Sequence, residues 1–405
     1  MNGGRPLAQA YLVDAVRTPI GRYRGALAQV RADDLAATVI VALRDRSPGA
    51  FGRVDHVVFG ATNQAGEDNR NVARMAGLLA GLPYEVPAVT VNRLCGSGLE
   101  AVTDAVMRIW TGDAEVVVAG GVESMTRAPF VMKKADEAWT RTAPPIFDTT
   151  LGWRFENPRL AERFPLQSMG ETAENVAEKW HVTREEQDAF ALGSQQKAGA
   201  AVASGVFSRE IAKVTLPGKK GVVTVVDKDE GPRPETTLAA LAALPAVFRK
   251  NGTVTAGNSS PLNDGASAVL VVSEAVLSAE KLTPLARVVA FATAGVEPNL
   301  MGEGPIPATQ RALARASLRV GDLDQVELNE AFAAQAIACQ RGLELDPSKI
   351  NPDGGAIALG HPIGSSGCRI LVTLAHGLAR RERRHGLAAL CIGVGQGIAM
   401  LIERA

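Results

Sequence analysis

The sequence predicts an α/β protein made of two similar halves, with a separate block inserted into the first. Three observations lead there. Strand-like apolar runs alternate with stretches of helical periodicity, the pattern of an α/β fold with a mixed or mostly parallel sheet. Three segments recur in the same order about 270 residues further on, as a duplicated unit would produce. Between the copies lies a block of different composition that belongs to neither.

Taken in order, VDHVVFG (54–60) and AEVVVAG (114–120) read as strands, while 33–44 and 99–110 have helical periodicity. VDHVVFG resembles LDQVELN (323–329). RLCGSGLEAV (93–102) has the glycine-serine character of HPIGSSGCRI (361–370), and each opens a helical pattern. AEVVVAGGVESM (114–125) resembles LAALCIGVGQGIAM (387–400). The divergent block holds three of the four tryptophans (Trp139, Trp153 and Trp180), a charged helix over 183–203 and a turn-rich stretch over 228–235. The expected organisation is a first half over 1–124, an inserted loop domain over 125–253 that covers the site, a return to the first half over 254–283, and a second half over 284–405.

Composition narrows the function classes. The 405 residues suffice for a large core, at a length that suggests two or three domains of about 100–200 residues each. Basic and acidic residues balance at 43 each, which leaves no electrostatic footprint for nucleic acid or an anionic membrane. No stretch approaches the roughly 20 apolar residues of a membrane span. Residues 1–10 have no apolar leader region, so a cytoplasmic location is expected. Cys95, Cys339, Cys368 and Cys391 show no C-x-x-C spacing, which argues against a zinc site or a redox dithiol.

Four segments carry the chemistry. Cys95 follows a strand-like run and precedes Gly-Ser-Gly and a helix. There the positive end of the helix dipole is expected to lower its pKa, and the glycines let backbone N–H groups face a bound carbonyl oxygen. A nucleophile and an inert core thiol both remain open. His361, among glycines and before a proline, suits a general base or a loop histidine held by carbonyls. Cys391 ends an apolar strand at a glycine-rich turn. Asn329 follows the strand DQVEL, where an amide can hold a water or carbonyl or cap a helix. The run 393–397 matches a dinucleotide fingerprint only superficially and lies too near the C-terminus to open a βαβ unit.

Together VNRLCGSGLEA, NEAFAAQ, GGAIALGHPIGSSG and CIGVGQG resemble, in order and spacing, the four active-site motifs of the thiolase family. The likeness runs from RTPIGRY to GIAMLIER. It implies the thiolase fold: two halves with mixed five-stranded sheets, stacked in five layers αβαβα, with a loop domain inserted in the first. It implies that Cys95 is the acylated nucleophile, His361 its base, and Cys391 the second cysteine that moves a proton on or off the attacking group. Asn329 with His361 would form one oxyanion hole, and the N–H groups of Cys95 and Gly393 the other. Ser260 would contact the pantetheine arm, Arg233 the adenine nucleotide of CoA, and Met169 and Phe332 the bound substrate. Coenzyme A is then a co-substrate, with no resident cofactor and no metal, and a homodimer or homotetramer is expected.

Three further stretches, GRYRGALAQVRADDLAA (21–37), NQAGEDNRNVARMAGLLAGLP (63–83) and FDTTLGWRFENP (147–158), resemble the thiolases that cleave 3-oxoadipyl-CoA to succinyl-CoA and acetyl-CoA. Val394 fits that group. Ser168 replaces the histidine often found in acetoacetyl-CoA thiolases, which weighs against acetyl-CoA acetyltransferase as the alternative. A broad fatty-acid thiolase is another alternative. A decarboxylating synthase would not normally use Cys391, and a non-catalytic acyl-CoA carrier would not need these residues. Arg154 is the candidate partner for a distal substrate carboxylate, with a surface ion pair as its ordinary role.

Overall fold

A computed structural model describes residues 8–218 and 222–405. Residues 1–7, part of the stretch read as lacking a leader, lie outside the described residues.

The first half contributes β1 (Ala10–Arg17), α1 (Ala32–Arg46), β2 (His56–Gly60), α2 (Val72–Leu79), β3 (Ala88–Val91), α3 (Ser97–Thr111) and β4 (Val116–Ser124). The chain then leaves the sheet for α4 (Met169–Lys179) and α5 (Arg184–Ala203) and returns as β5 (Asn263–Ser273). The second half adds β6 (Ala286–Gly295), α6 (Pro305–Ala316), β7 (Gln325–Leu328), α7 (Ala333–Gly342), α8 (Ile363–Arg381), β8 (His385–Ile392) and β9 (Gln396–Arg404).

Strand order displays the duplication. The first half runs β3-β2-β4-β5-β1, with β2 parallel to β3 and β4, and β5 antiparallel to β4 and β1. The second runs β7-β8-β9-β6 with the same directions: β7 parallel to β8, and β9 antiparallel to both β8 and β6. Two details differ from a pair of separate five-stranded sheets. The counterpart of β3 shrinks to a parallel bridge between Val326 and Ile350. In addition, β1 and β6 pair at Tyr11–Arg287 and Leu12–Ala286, so a single hydrogen-bonded sheet runs through both halves.

Side-chain pattern explains the layers. β4 and β5 are buried along their whole length because helices cover both faces, which is why they read as continuous apolar runs. β6 alternates buried and half-buried residues. Helices α3 and α8 share one core cluster with inner residues of both sheets, including Val117, Val269, Leu390 and Met400. The outer face of the first sheet packs on α1 and α2, and that of the second on α6 and α7. The stack is therefore helix, sheet, helix pair, sheet, helix. α8 lies at its centre, and apolar residues on nearly every face make it a core helix.

The central helices touch backbone to backbone at their first turns. A Cβ on Gly98 would sit 2.8 Å from the Gly364 carbonyl oxygen, and one on Gly121 only 2.1 Å from it. Gly121→Ala is expected to destabilise the fold by about 1–3 kcal/mol through overpacking, read as a lower urea midpoint at constant slope.

Local chemistry also explains helix ends. Ser168 caps α4 and Thr183 caps α5, each in a reciprocal capping box with Glu171 or Glu186. The serine at 168 thus has a structural task. Nothing in the structure explains Pro261, which is exposed after Ser260.

Candidate active site

The nucleophile candidate sits on a strained link. After β3, Leu94 adopts a left-handed backbone (φ 47), fixed by its N–H donating to Asn92 Oδ1 at 2.9 Å. Cys95 follows, and Gly96 N–H returns to the Arg93 carbonyl at 3.0 Å before α3 begins. Gly96 has to be small, because a Cβ there would lie 2.6 Å from Ile392 Cδ1. Arg93 anchors the loop by donating two hydrogen bonds to the Glu100 carboxylate, at 2.7 and 2.8 Å, and a third to Gln396 Oε1 of the second half at 3.0 Å.

Gln396 begins β9, and the β8–β9 turn (Gly393, Val394 and Gly395) abuts the same loop. Val394 and Gly395 have positive φ, and the Gly393 N–H lies near enough to the Cys95 sulfur to oppose the rise of its pKa on burial. Cys95's own N–H acts on the thiol in the same direction. Cys391, at the end of β8, lies close enough to Cys95 for their charges to interact. Cys391 is buried in an apolar cluster with Met301, Ala331 and Phe332, and Met169 packs on that cluster.

His361 belongs to the second half. It precedes α8, whose first turn rests on that of α3, and its backbone N–H donates to Asn263 Oδ1 at 2.9 Å. The ring tautomer follows from its neighbours. Ser366 donates its hydroxyl to the Pro362 carbonyl at 2.9 Å, so it accepts from His361 Nδ1–H across 2.6 Å. The lone pair is left on Nε2, which lies 3.5 Å from Asn329 Nδ2. Asn329 is fully buried, its backbone bonded to Ala389 of β8, and its Oδ1 has no partner among the described residues. The helix-cap alternative for Asn329 does not hold, because α7 starts at Ala333 with Phe332 as its cap residue.

The electrostatics correct one expectation. The helix dipole was expected to favour a Cys95 thiolate, but Cys95 is half-buried and burial dominates, pushing its thiol up to about 11. Burial, followed by the nearby cysteines, holds Cys391 well above the usual thiol range. His361 is pushed down to about 4, first by burial and then by the Arg369 cation. Both partners are thus neutral near pH 7: a thiol that needs a base, and an imidazole free to accept. The rate of Cys95 acylation should therefore stay level through the neutral range and fall as pH drops toward 4. Below that point His361 holds a proton and cannot take one from Cys95. Stopped-flow acylation rates across pH check this.

Of the other expected residues, Ser260 donates its N–H to Ala331 at 2.9 Å, beside the bridge joining Ser259 to Phe332. Phe332 is buried and stacks edge-on with Phe248. Met169 opens α4, and its sulfur lies 3.3 Å from where a Gly393 Cβ would be. Arg233 is exposed on a loop beside the His361 loop, since a Cβ on Gly231 would touch the Ala358 carbonyl at 2.2 Å. Arg154 forms no ion pair among the described residues; its neighbour Trp153 lines a cleft with Met169, Pro298 and Val394. Cys339 and Cys368 are core thiols pushed up to about 12 by burial. The described residues hold no metal-binding cluster. No described helix is long and apolar enough to cross a membrane.

Residue types alone did not single out Ser366, Asn263, Asn92 or Glu123. Glu123 did carry a signal: a carboxylate inside an otherwise apolar strand.

Comparison with known proteins bears on family and fold. Residues 10–275 match the thiolase N-terminal domain and 282–404 the thiolase C-terminal domain. The chain is 57% identical over 401 residues to the 3-oxoadipyl-CoA/3-oxo-5,6-dehydrosuberyl-CoA thiolase of Escherichia coli (strain K12), covering 98% of this chain and 100% of that one. It is 53% identical to a beta-ketoadipyl-CoA thiolase of Acinetobacter baylyi, with the same coverage. The crystal structure of the Bacillus anthracis acetyl-CoA acetyltransferase superposes with a TM-score of 0.94 at 40% identity, over 99% of this chain and 100% of that one. The chain belongs to the thiolase family of acyltransferases.

Proposed function

We propose that the enzyme cleaves 3-oxoadipyl-CoA with CoA to succinyl-CoA and acetyl-CoA through a Cys95 acyl-enzyme. The chemistry is supported by Cys95 lying near Cys391 and the Gly393 N–H, by His361 Nε2 facing Asn329 at 3.5 Å, and by the contact between the first turns of the helices that follow Cys95 and His361. The substrate rests on the names of relatives at 53–57% identity.

The steps follow from proton positions. His361 Nε2 takes the Cys95 proton, and the thiolate attacks the 3-keto carbon. The N–H groups of Cys95 and Gly393 receive the alkoxide. The bond between carbons 2 and 3 breaks, and acetyl-CoA leaves as an enolate. Asn329 and the protonated His361 face its oxygen, and Cys391 supplies the proton to carbon. Cys391 then recovers a proton from the thiol of incoming CoA. The CoA thiolate attacks the acyl-enzyme, and Cys95 leaves and regains its proton from His361. In this account CoA is a co-substrate held along Ser260 and Arg233, Met169 and Phe332 line the substrate channel, and no metal takes part.

The divisions 1–124, 125–253, 254–283 and 284–405 suit a duplicated scaffold with a cover over its site. A homodimer or homotetramer is supported by β3, which ends the sheet order and leads directly into Asn92–Cys95. Four free thiols fit a reducing cytoplasm.

The test is thiolysis by purified enzyme with CoA and either 3-oxoadipyl-CoA or acetoacetyl-CoA. A higher kcat/KM for 3-oxoadipyl-CoA is expected. A higher value for acetoacetyl-CoA would replace this reading with an acetyl-CoA acetyltransferase.

A further inference from the structure

We propose that Glu123 is a positioning residue that sets the nucleophile loop and the base loop in register with each other. The inference deepens the proposed mechanism and rests on its reading of Cys95 and His361.

Glu123 lies near the end of β4, almost fully buried. Its carboxylate accepts four hydrogen bonds. Thr62 donates its N–H at 3.0 Å and its hydroxyl, and Asn63 donates its N–H at 3.2 Å. The fourth donor is the Gly364 N–H, at 3.0 Å. Gly364 lies in the first turn of α8, three residues after His361. An anion at this helix start is favoured by the dipole as well as by the bond.

The Thr62 side leads to the nucleophile. Its carbonyl accepts from Asn92 Nδ2 at 3.1 Å, and Asn92 Oδ1 accepts the Leu94 N–H at 2.9 Å. That last bond holds the left-handed turn from which Cys95 projects. One carboxylate therefore grips the His361 loop directly and the Cys95 loop through Thr62 and Asn92. The two loops come from different halves, and no covalent neighbour fixes their spacing.

A buried carboxylate is costly unless every lone pair is used. An apolar residue here would leave the Thr62, Asn63 and Gly364 N–H groups without this acceptor, so the carboxylate is what ties the two loops together. When ionised, Glu123 adds to burial in holding the Cys95 thiol up, although burial also raises the Glu123 carboxyl itself. This fits a site in which proton transfer must wait for the base.

The experiment uses the full-length enzyme. Wild type is first exposed to acetyl-CoA, and the acetyl group is located by mass spectrometry. Glu123→Gln then removes the charge at constant shape. Its kcat is expected to fall roughly 100-fold while KM stays within about two-fold, since the fault is misalignment of reacting groups. The pH midpoint of Cys95 alkylation by iodoacetamide should also fall as the charge is removed, while the loss in kcat at constant KM is the readout that a merely structural carboxylate would not produce. Asn92→Ala, on the exposed part of the path, should lose about ten-fold in kcat, and the double variant should be no worse than Glu123→Gln alone because both cut one path. A Glu123→Gln enzyme with near wild-type kcat, or single losses that multiply in the double variant, would overturn the proposal. If Glu123→Gln fails to fold, Asn92→Ala decides: unchanged kcat there is equally fatal. An unlabelled Cys95 in wild type would instead bring down the mechanism on which the proposal rests.

Discussion

Replacing Cys95 with alanine is expected to abolish thiolysis, with a loss of at least about 10⁴-fold in kcat. The reason is geometric. Among the described thiols, only Cys95 is acted on by the Gly393 N–H. Cys391 is adjacent, but it is buried among apolar side chains and held well above the usual thiol range. Cys339 donates to the Gly302 carbonyl at 3.1 Å and sits in the core of the second half. Binding should survive, because the substitution removes only a sulfur from a half-buried position. Calorimetric titration of the variant with CoA, beside a thiolysis assay, separates the two effects: affinity near wild type and no turnover.

Replacing His361 with alanine should cost about 10²–10⁴ in kcat, the range of a lost general base. The effect should lie near the top of that range at neutral pH. A thiol pushed up to about 11 has almost no thiolate at pH 7, so without a base little nucleophile exists. As pH rises toward 11 the thiol ionises unaided, and the deficit of the variant should shrink. A deficit that stays constant up to pH 10 would mean that His361 acts after deprotonation, as an oxyanion donor only. Ser366→Ala is a milder version. It removes the acceptor that holds the proton on Nδ1, so the wrong tautomer becomes accessible and kcat should drop by about ten-fold.

Much of this site was legible because its chemistry is written in local strings. Cys95, Asn329, His361 and Cys391 each end a strand-like run or open a helix, and repeat offsets placed the Cys95 and His361 loops in corresponding positions. The layers followed only from the family resemblance; the structure gives their physical reason, since β4 and β5 lack polar alternation and both of their faces are covered. The pairing of β1 with β6 was not, since it concerns only two residue pairs at strand ends. Nor was the loss of a full strand at Ile350, where the second copy keeps one bridge of the first copy's ladder.

The raised Cys95 thiol shows where local reading fails in principle. Helix dipole and glycine turn are visible in a short local string, whereas burial comes from a core shared with the second half, including Ile392 and Ile398, against which Cys95 packs. The same holds for Glu123. As a residue type in AGGVESM it signals nothing beyond an odd charge. Its meaning lies in Thr62, Asn63 and Gly364, which reach it from two other segments.

The central claim is that a dicarboxylic 3-ketoacyl-CoA is cleaved through an acyl group on Cys95. It is tested most directly by trapping that group. Enzyme mixed with 3-oxoadipyl-CoA in the absence of added CoA, quenched in acid and digested, should yield the Cys95 peptide carrying a succinyl thioester, with acetyl-CoA released in equal amount. A succinyl group on Cys391 or another residue, or acetyl-CoA released with no adduct on Cys95, would contradict the account.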